Sequence, residues 1–174
     1  MTERNKKTSF KDDIPVYISP LEYEMVFIPL MDQPLLLFST MIYDMGLRAT
    51  NLMKLTYGDL LDAPYGYIRF PKNRDVNLKV YLSANVQVMI NTAFLNRHSS
   101  NEYLFAAPNG RRWTPSVISK KYIALSKCAG VVINEVSLFY SWCCNFVEYG
   151  GKRGKKSKDV IASLMNCKSS LYVK

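Results

Sequence analysis

"MIYDMGLRATNLMKLTYGDL", Met41 to Leu60, decides how this chain is read. Its first residues close an almost wholly apolar run from Pro34 that stops at Gly46, the residue type that accepts the left-handed conformation ending a helix. The run is too short to span a membrane and predicts a core helix. A further helix is expected near Thr50, with Leu52, Met53 and Leu55 inward and Thr56-Tyr57-Gly58 as its stop. Between the two stands one cation, Arg48. A helix dipole slightly disfavours positive charge at a helix start, so Arg48 is either an ordinary surface cation or a group that meets an anion.

Upstream, Ser19, Pro20 and Glu22 fit an N-cap, a first-turn proline and a capping-box glutamate, so a helix should start at Pro20. Downstream, Tyr67 to Phe70 and Leu78 to Leu82 are short aromatic and branched stretches around a polar turn, which predicts a β-hairpin. Ser83 then caps a helix, and "NEYLFAAPNGRRW" is an extended stretch ending in the Asn109-Gly110 turn. Thr114-Pro115 opens another helix, closed by Gly130. Two more are expected around "SLFYSWCCNFVEYGG" and "SKDVIASLMN", separated by a basic loop. The fold class is therefore α+β: a mainly helical domain with one small antiparallel hairpin sheet.

With 174 residues, 48% apolar and 21% charged, the chain has globular composition, and one domain is expected. Residues 1–13 form a polar N-terminal segment and 14–174 the domain. That polar start has no apolar stretch of signal-peptide type, which predicts a cytoplasmic protein with no membrane partner. Cys128, Cys143, Cys144 and Cys167 lack zinc-knuckle spacing and are expected to be buried reduced thiols. His98, the single histidine, lies in a polar stretch; a multi-histidine metal site is excluded, and no metal or other cofactor is expected.

Net charge is +9, and its distribution is uneven. Gly150 to Lys174 carries seven cations, including Lys152, Arg153, Lys155 and Lys156, against Asp159 alone. Arg111, Arg112, Lys120, Lys121 and Lys127 form a second group with no acid among them. A turn followed by a helix start can set several cations along one phosphate backbone, so duplex DNA is the expected partner. "GGKRGKKSKD" has nothing to bury and would order on the nucleic acid.

The order of elements and the residues at their junctions resemble the catalytic domain of the tyrosine recombinases, the family of phage integrases and chromosome-dimer resolvases. The likeness runs from about Ile14 to Tyr172, making 14–174 an integrase-like catalytic domain. The Gly46-Leu47-Arg48 junction is its specific signal, with Asn51 where the family usually has glutamate. The resemblance implies DNA recombination or integration, a mobile-element setting, and a nucleoid-associated protein. It also allows for a full-length recombinase or a second copy as partner. In the family a tyrosine hydroxyl attacks a DNA phosphorus, giving a 3′-phosphotyrosine and a free 5′-hydroxyl, while fixed cations meet the charge that develops.

Carried onto this sequence, the resemblance makes Arg48 the first catalytic arginine. It makes Lys72 the hairpin lysine that protonates the leaving oxygen, with Arg74 as the alternative register and a further DNA contact. The histidine and arginine of the family's second motif fall on Val136 and Phe139, which can do neither job. Asn166 stands for a later histidine or tryptophan, and Tyr172 is the candidate nucleophile, though it follows Asn166 more closely than the family spacing. The expectation is a degenerate member that binds DNA and is catalytically impaired. The alternatives are an active recombinase in which a relocated cation such as Arg153 replaces the missing arginine, and an interaction module whose charge only solubilises it.

Overall fold

The structure, a computed structural model, describes residues 15–70, 78–94 and 99–149. Helix α1 (Pro20–Glu22) begins where the capping signals put it: the Glu22 backbone N–H donates to Ser19 Oγ, and Glu22 accepts from the Ser19 backbone. Its α-helical ladder is short. The chain widens into a π-turn at Tyr23–Phe27 and tightens into a 3₁₀ turn at Ile28–Leu30. Pro29 supplies no N–H for a bond back to the Met25 carbonyl, so no α-helical ladder runs through the 3₁₀ turn.

Helix α2 (Gln33–Met45) is capped by Asp32, whose carboxylate accepts from the Leu35 N–H at 2.9 Å, and ends at Gly46 with φ 64°. Its φ is only part of what holds Gly46. A Cβ there would overlap the indole of Trp142, so glycine lets α2 lie close against α6 (Glu135–Tyr149). The expected third helix is a single turn, α3 (Ala49–Leu52), with Leu52 and Leu55 buried; a 3₁₀ turn over Tyr57–Leu60 follows rather than an immediate stop.

The hairpin is present as β1 (Tyr67–Phe70) and β2 (Leu78–Tyr81), antiparallel, with Tyr67 opposite Tyr81 and Ile68 opposite Val80. β2 ends at Tyr81, one residue before the expected Leu82. Helix α4 (Ala84–Phe94) starts at its Ser83 cap, and α5 (Pro115–Ala129) starts at Thr114 and is closed by Gly130. A short bridge from Thr56 to Tyr103 ties the extended stretch before α5 to the rest, and another, Ala106 to Arg112, closes the turn at Asn109-Gly110 within it.

The core forms around α2. Phe38 meets Phe105 edge-on at 4.9 Å and Trp113 at 5.5 Å, and Tyr23 stacks on Tyr43 at 4.2 Å. Buried hydroxyls are paired: Ser39 with Tyr122 at 2.9 Å, Tyr23 with Thr40 at 3.0 Å, and Tyr43 donating to the Ile18 carbonyl. These pairings avoid the penalty of an unsatisfied polar group. The architecture is mostly helical with one small antiparallel sheet. One sequence expectation is corrected: Cys143 is buried and Cys144 half-buried, but Cys128 is exposed, because it lies on the outer side of the last turn of α5. Cys167, His98 and the expected helix over "SKDVIASLMN" lie outside the described residues.

Candidate nucleic-acid interface

Arg48 occupies the N-cap position of α3, with φ −74° and ψ 137°, and its side chain does not cap that helix. It turns instead toward α6. Its guanidinium carbon sits 3.7 Å from the centroid of the Phe139 ring, a cation–π contact on a ring that is only 3% exposed. Beneath it Phe139, Trp142 and Phe146 run along α6 with successive ring centroids 5.5 and 5.3 Å apart. The half-buried guanidinium is thus seated on an aromatic floor that the Gly46–Trp142 approach holds in place. Its charge reaches the Cys143 thiol, where it opposes burial; burial wins and pushes that thiol up to about 12.

Phe139 was assigned above to the position of a second cation, and it lies directly against Arg48. Val136, one turn earlier on the same helix, is 46% exposed. Among the described residues, the immediate neighbourhood of Arg48 on α6 is therefore aromatic and thiol-bearing rather than cationic.

The second basic group divides. Arg111 and Arg112 are exposed on the turn at Gly110, whose φ is 76°, with the Arg111 N–H donating to Asn109 Oδ1 at 3.1 Å. Lys120 and Lys127 are exposed along α5. Lys121 is engaged internally: its ammonium donates to Asp32 at 2.8 Å and lies 4.9 Å from the Trp113 ring centroid. It braces α5 against the start of α2. Lys127 also lines a cavity of about 610 Å³ between α5, the 130–134 connection and the start of α6, with Ser126, Val131, Val132 and Val136.

Lys72 and Arg74, and Lys152, Arg153, Lys155, Lys156, Asn166 and Tyr172, lie outside the described residues. Among the described residues there is no cluster of three or more side chains able to hold a metal ion, and no helix is long and apolar enough to cross a membrane. Sequence reasoning missed Arg69 and Lys79 on the hairpin. The signal was available, because Ile68 and Val80 are the inward residues of an alternating pattern and put both cations on the other face.

No family model matches the chain, and no curated protein does. Solved structures do. XerA recombinase is similar over 90% of this chain with 21% identity and a TM-score of 0.68. The Tn1549 transposon integrase in complex with circular intermediate DNA is similar over 90% of this chain, with 17% identity and a TM-score of 0.67. The same integrase with transposon right end DNA is similar over 92%, with 16% identity and a TM-score of 0.67. The chain spans 58%, 59% and 63% of those proteins' solved lengths. What is shared is the fold: the mostly helical body with its two-stranded sheet is that of a tyrosine recombinase catalytic domain.

Proposed function

We propose that residues 14–174 form an integrase-like domain that grips duplex DNA and does not cut it. Arg48 is the anchor. A guanidinium whose face rests on an aromatic ring keeps its donors along its edge, the arrangement that reads two phosphate oxygens at once. Arg111, Arg112, Lys120 and Lys127 add exposed charge to the grip, joined by Arg74, Lys152, Arg153, Lys155 and Lys156. Lys121, held by Asp32, contributes less.

The observation that carries the reading is the Arg48–Phe139 contact. A pentavalent phosphorane gathers more negative charge than the ground-state phosphate, and only groups that meet that extra charge speed the step. Phe139, at the position that the resemblance gives to a second arginine, brings a neutral ring instead of a cation, and losing one such donor costs roughly two to three orders of magnitude in rate. Arg48, with Lys72 and an uncharged Asn166, can hold a phosphate but lacks that surplus, and Tyr172 serves as no nucleophile. In a mobile-element setting the domain would occupy recombination sites, beside a full-length recombinase or a second copy, without consuming them.

Two measurements test this. In fluorescence anisotropy across a salt series, log affinity for duplex DNA should fall against log salt with a slope of about −0.9 per phosphate neutralised, and Arg48→Ala should reduce that slope by about 1. Incubation with a nicked suicide duplex should give no covalent protein–DNA adduct on a denaturing gel. An adduct that disappears in Tyr172→Phe would establish an active recombinase instead, and absence of duplex binding at low salt would leave the interaction-module reading.

A further inference from the structure

Alternate residues of a strand face opposite ways. Ile68 in β1 and its partner Val80 in β2 are buried, so Tyr67, Arg69, Lys79 and Tyr81 share the outward face of the hairpin. That face pairs two phenol rings with two cations. Tyr81 is 77% exposed, its ring centroid 6.5 Å from that of Tyr67 with the planes at 68°. The Lys79 ammonium lies over the Tyr67 ring, 4.6 Å from its centroid, which places a positive charge on the Tyr67 side of the aromatic surface and leaves Tyr81 as the exposed ring. Arg69 is paired with Asp62, so Lys79 sets the sign of the face. Tyr65, just before β1, is as exposed as Tyr81.

Such exposed rings are poor solvent contacts and good partners for flat ligands. Apolar burial against another protein would use the rings but gain nothing from the ammonium beside them. A nucleotide uses both, a π-face for the ring and an anionic phosphate for the cation. Duplex DNA keeps its base faces stacked on each other, and an unpaired strand does not.

We propose that the outward face of the hairpin is a stacking platform for an unpaired nucleotide of single-stranded DNA, its base on Tyr81 and the adjoining phosphate at Lys79. The inference rests on the DNA-binding reading for the class of partner only. Its residues are separate from Arg48 and the basic turn, so either reading can fail without the other.

The experiment compares three labelled probes by fluorescence anisotropy: oligo-dT, an abasic oligonucleotide of the same length, and a duplex. Tyr81→Ala should weaken oligo-dT binding about 5- to 150-fold, the range for one base stacked on an aromatic side chain. Tyr81→Phe, which keeps the ring, should bind oligo-dT like the parent protein, and Lys79→Gln should weaken the oligo-dT and abasic probes alike. Binding of the abasic and duplex probes should not respond to Tyr81→Ala. Because Tyr81 is largely in solvent, these variants should unfold at the parental urea midpoint. Unchanged oligo-dT affinity in Tyr81→Ala would overturn the proposal, as would an equal loss on the abasic probe. So would a shift in self-association, seen by sedimentation, with oligo-dT affinity intact. Duplex binding that fails in the parent protein while the Tyr81-dependent oligo-dT binding persists would count against the proposed duplex grip and not against this platform.

Discussion

Replacing Gly46 by alanine tests how the Arg48 site is held. Two penalties add at this position. The first is conformational: φ is 64°, and an L-residue in the left-handed region costs about 1–2 kcal/mol. The second is steric, since the new methyl would overlap the Trp142 indole, and forcing extra volume into a packed contact costs about 1–3 kcal/mol. Together they come to about 2–5 kcal/mol. Gly66 provides the control, because its φ is 83° but nothing lies within 4 Å of the Cβ it would gain. Gly66→Ala should therefore show only the conformational part. For a chain of this size the difference between the variants amounts to a gap in Tm of about 2–12 °C, at roughly 2–4 °C per kcal/mol. Thermal unfolding followed by circular dichroism, with both variants measured beside the parent, reads it directly. Relief of the clash moves α6 away from α2 and takes Phe139 from under Arg48, so duplex affinity should also drop in Gly46→Ala at temperatures where the variant is folded. Equal destabilisation in the two variants would refute the reasoning, since it would mean that the α2–α6 approach yields to a methyl group without cost.

Other expectations follow from the titrating groups. At neutral pH a maleimide should modify Cys128, which is exposed, and leave Cys143 untouched until the protein is unfolded, because burial holds that thiol up to about 12; peptide mass spectrometry showing both labelled at one rate would contradict this. Burial raises the Asp44 carboxyl above its ordinary range, against the pull of Asn85 and Ser83, which donate to it at 3.2 and 3.1 Å. A raised carboxyl favours the folded state when protonated, and that contribution disappears as pH rises through the folded-state value. Asp44→Asn should therefore be more stable than the parent near pH 7, with the advantage shrinking as pH falls toward the ordinary aspartate range of about 4. A pH-independent difference in urea midpoints would show that Asp44 stays solvated.

The sequence by itself determined the elements that depend on local chemistry. Ser19 with Glu22, Ser83 and Thr114 satisfy N–H groups within three residues of themselves, and Gly46 and Gly130 take up left-handed dihedrals, so the helix boundaries near them were legible; the Asp32 cap of α2 emerged only in the structure. Aromatic and branched residues on either side of a polar turn marked both strands of the hairpin. Fold class followed, and so did Arg48 as the residue to watch. The π-turn that follows α1 was not legible.

Only the tertiary structure decided which residues meet. Nothing local says that Phe139 lies under Arg48, since 91 positions of chain separate the two and their contact depends on how closely Gly46 lets α6 approach α2. Charge counted along the sequence treated Lys120 and Lys121 alike, whereas packing ties Lys121 to Asp32 and leaves Lys120 in solvent. Cys128 and Cys143 likewise looked equivalent until helix orientation exposed one and buried the other. Capping and alternation are short-range and can be read from neighbours in the chain; exposure, ion pairing and the surroundings of a cation depend on which helix faces are brought together.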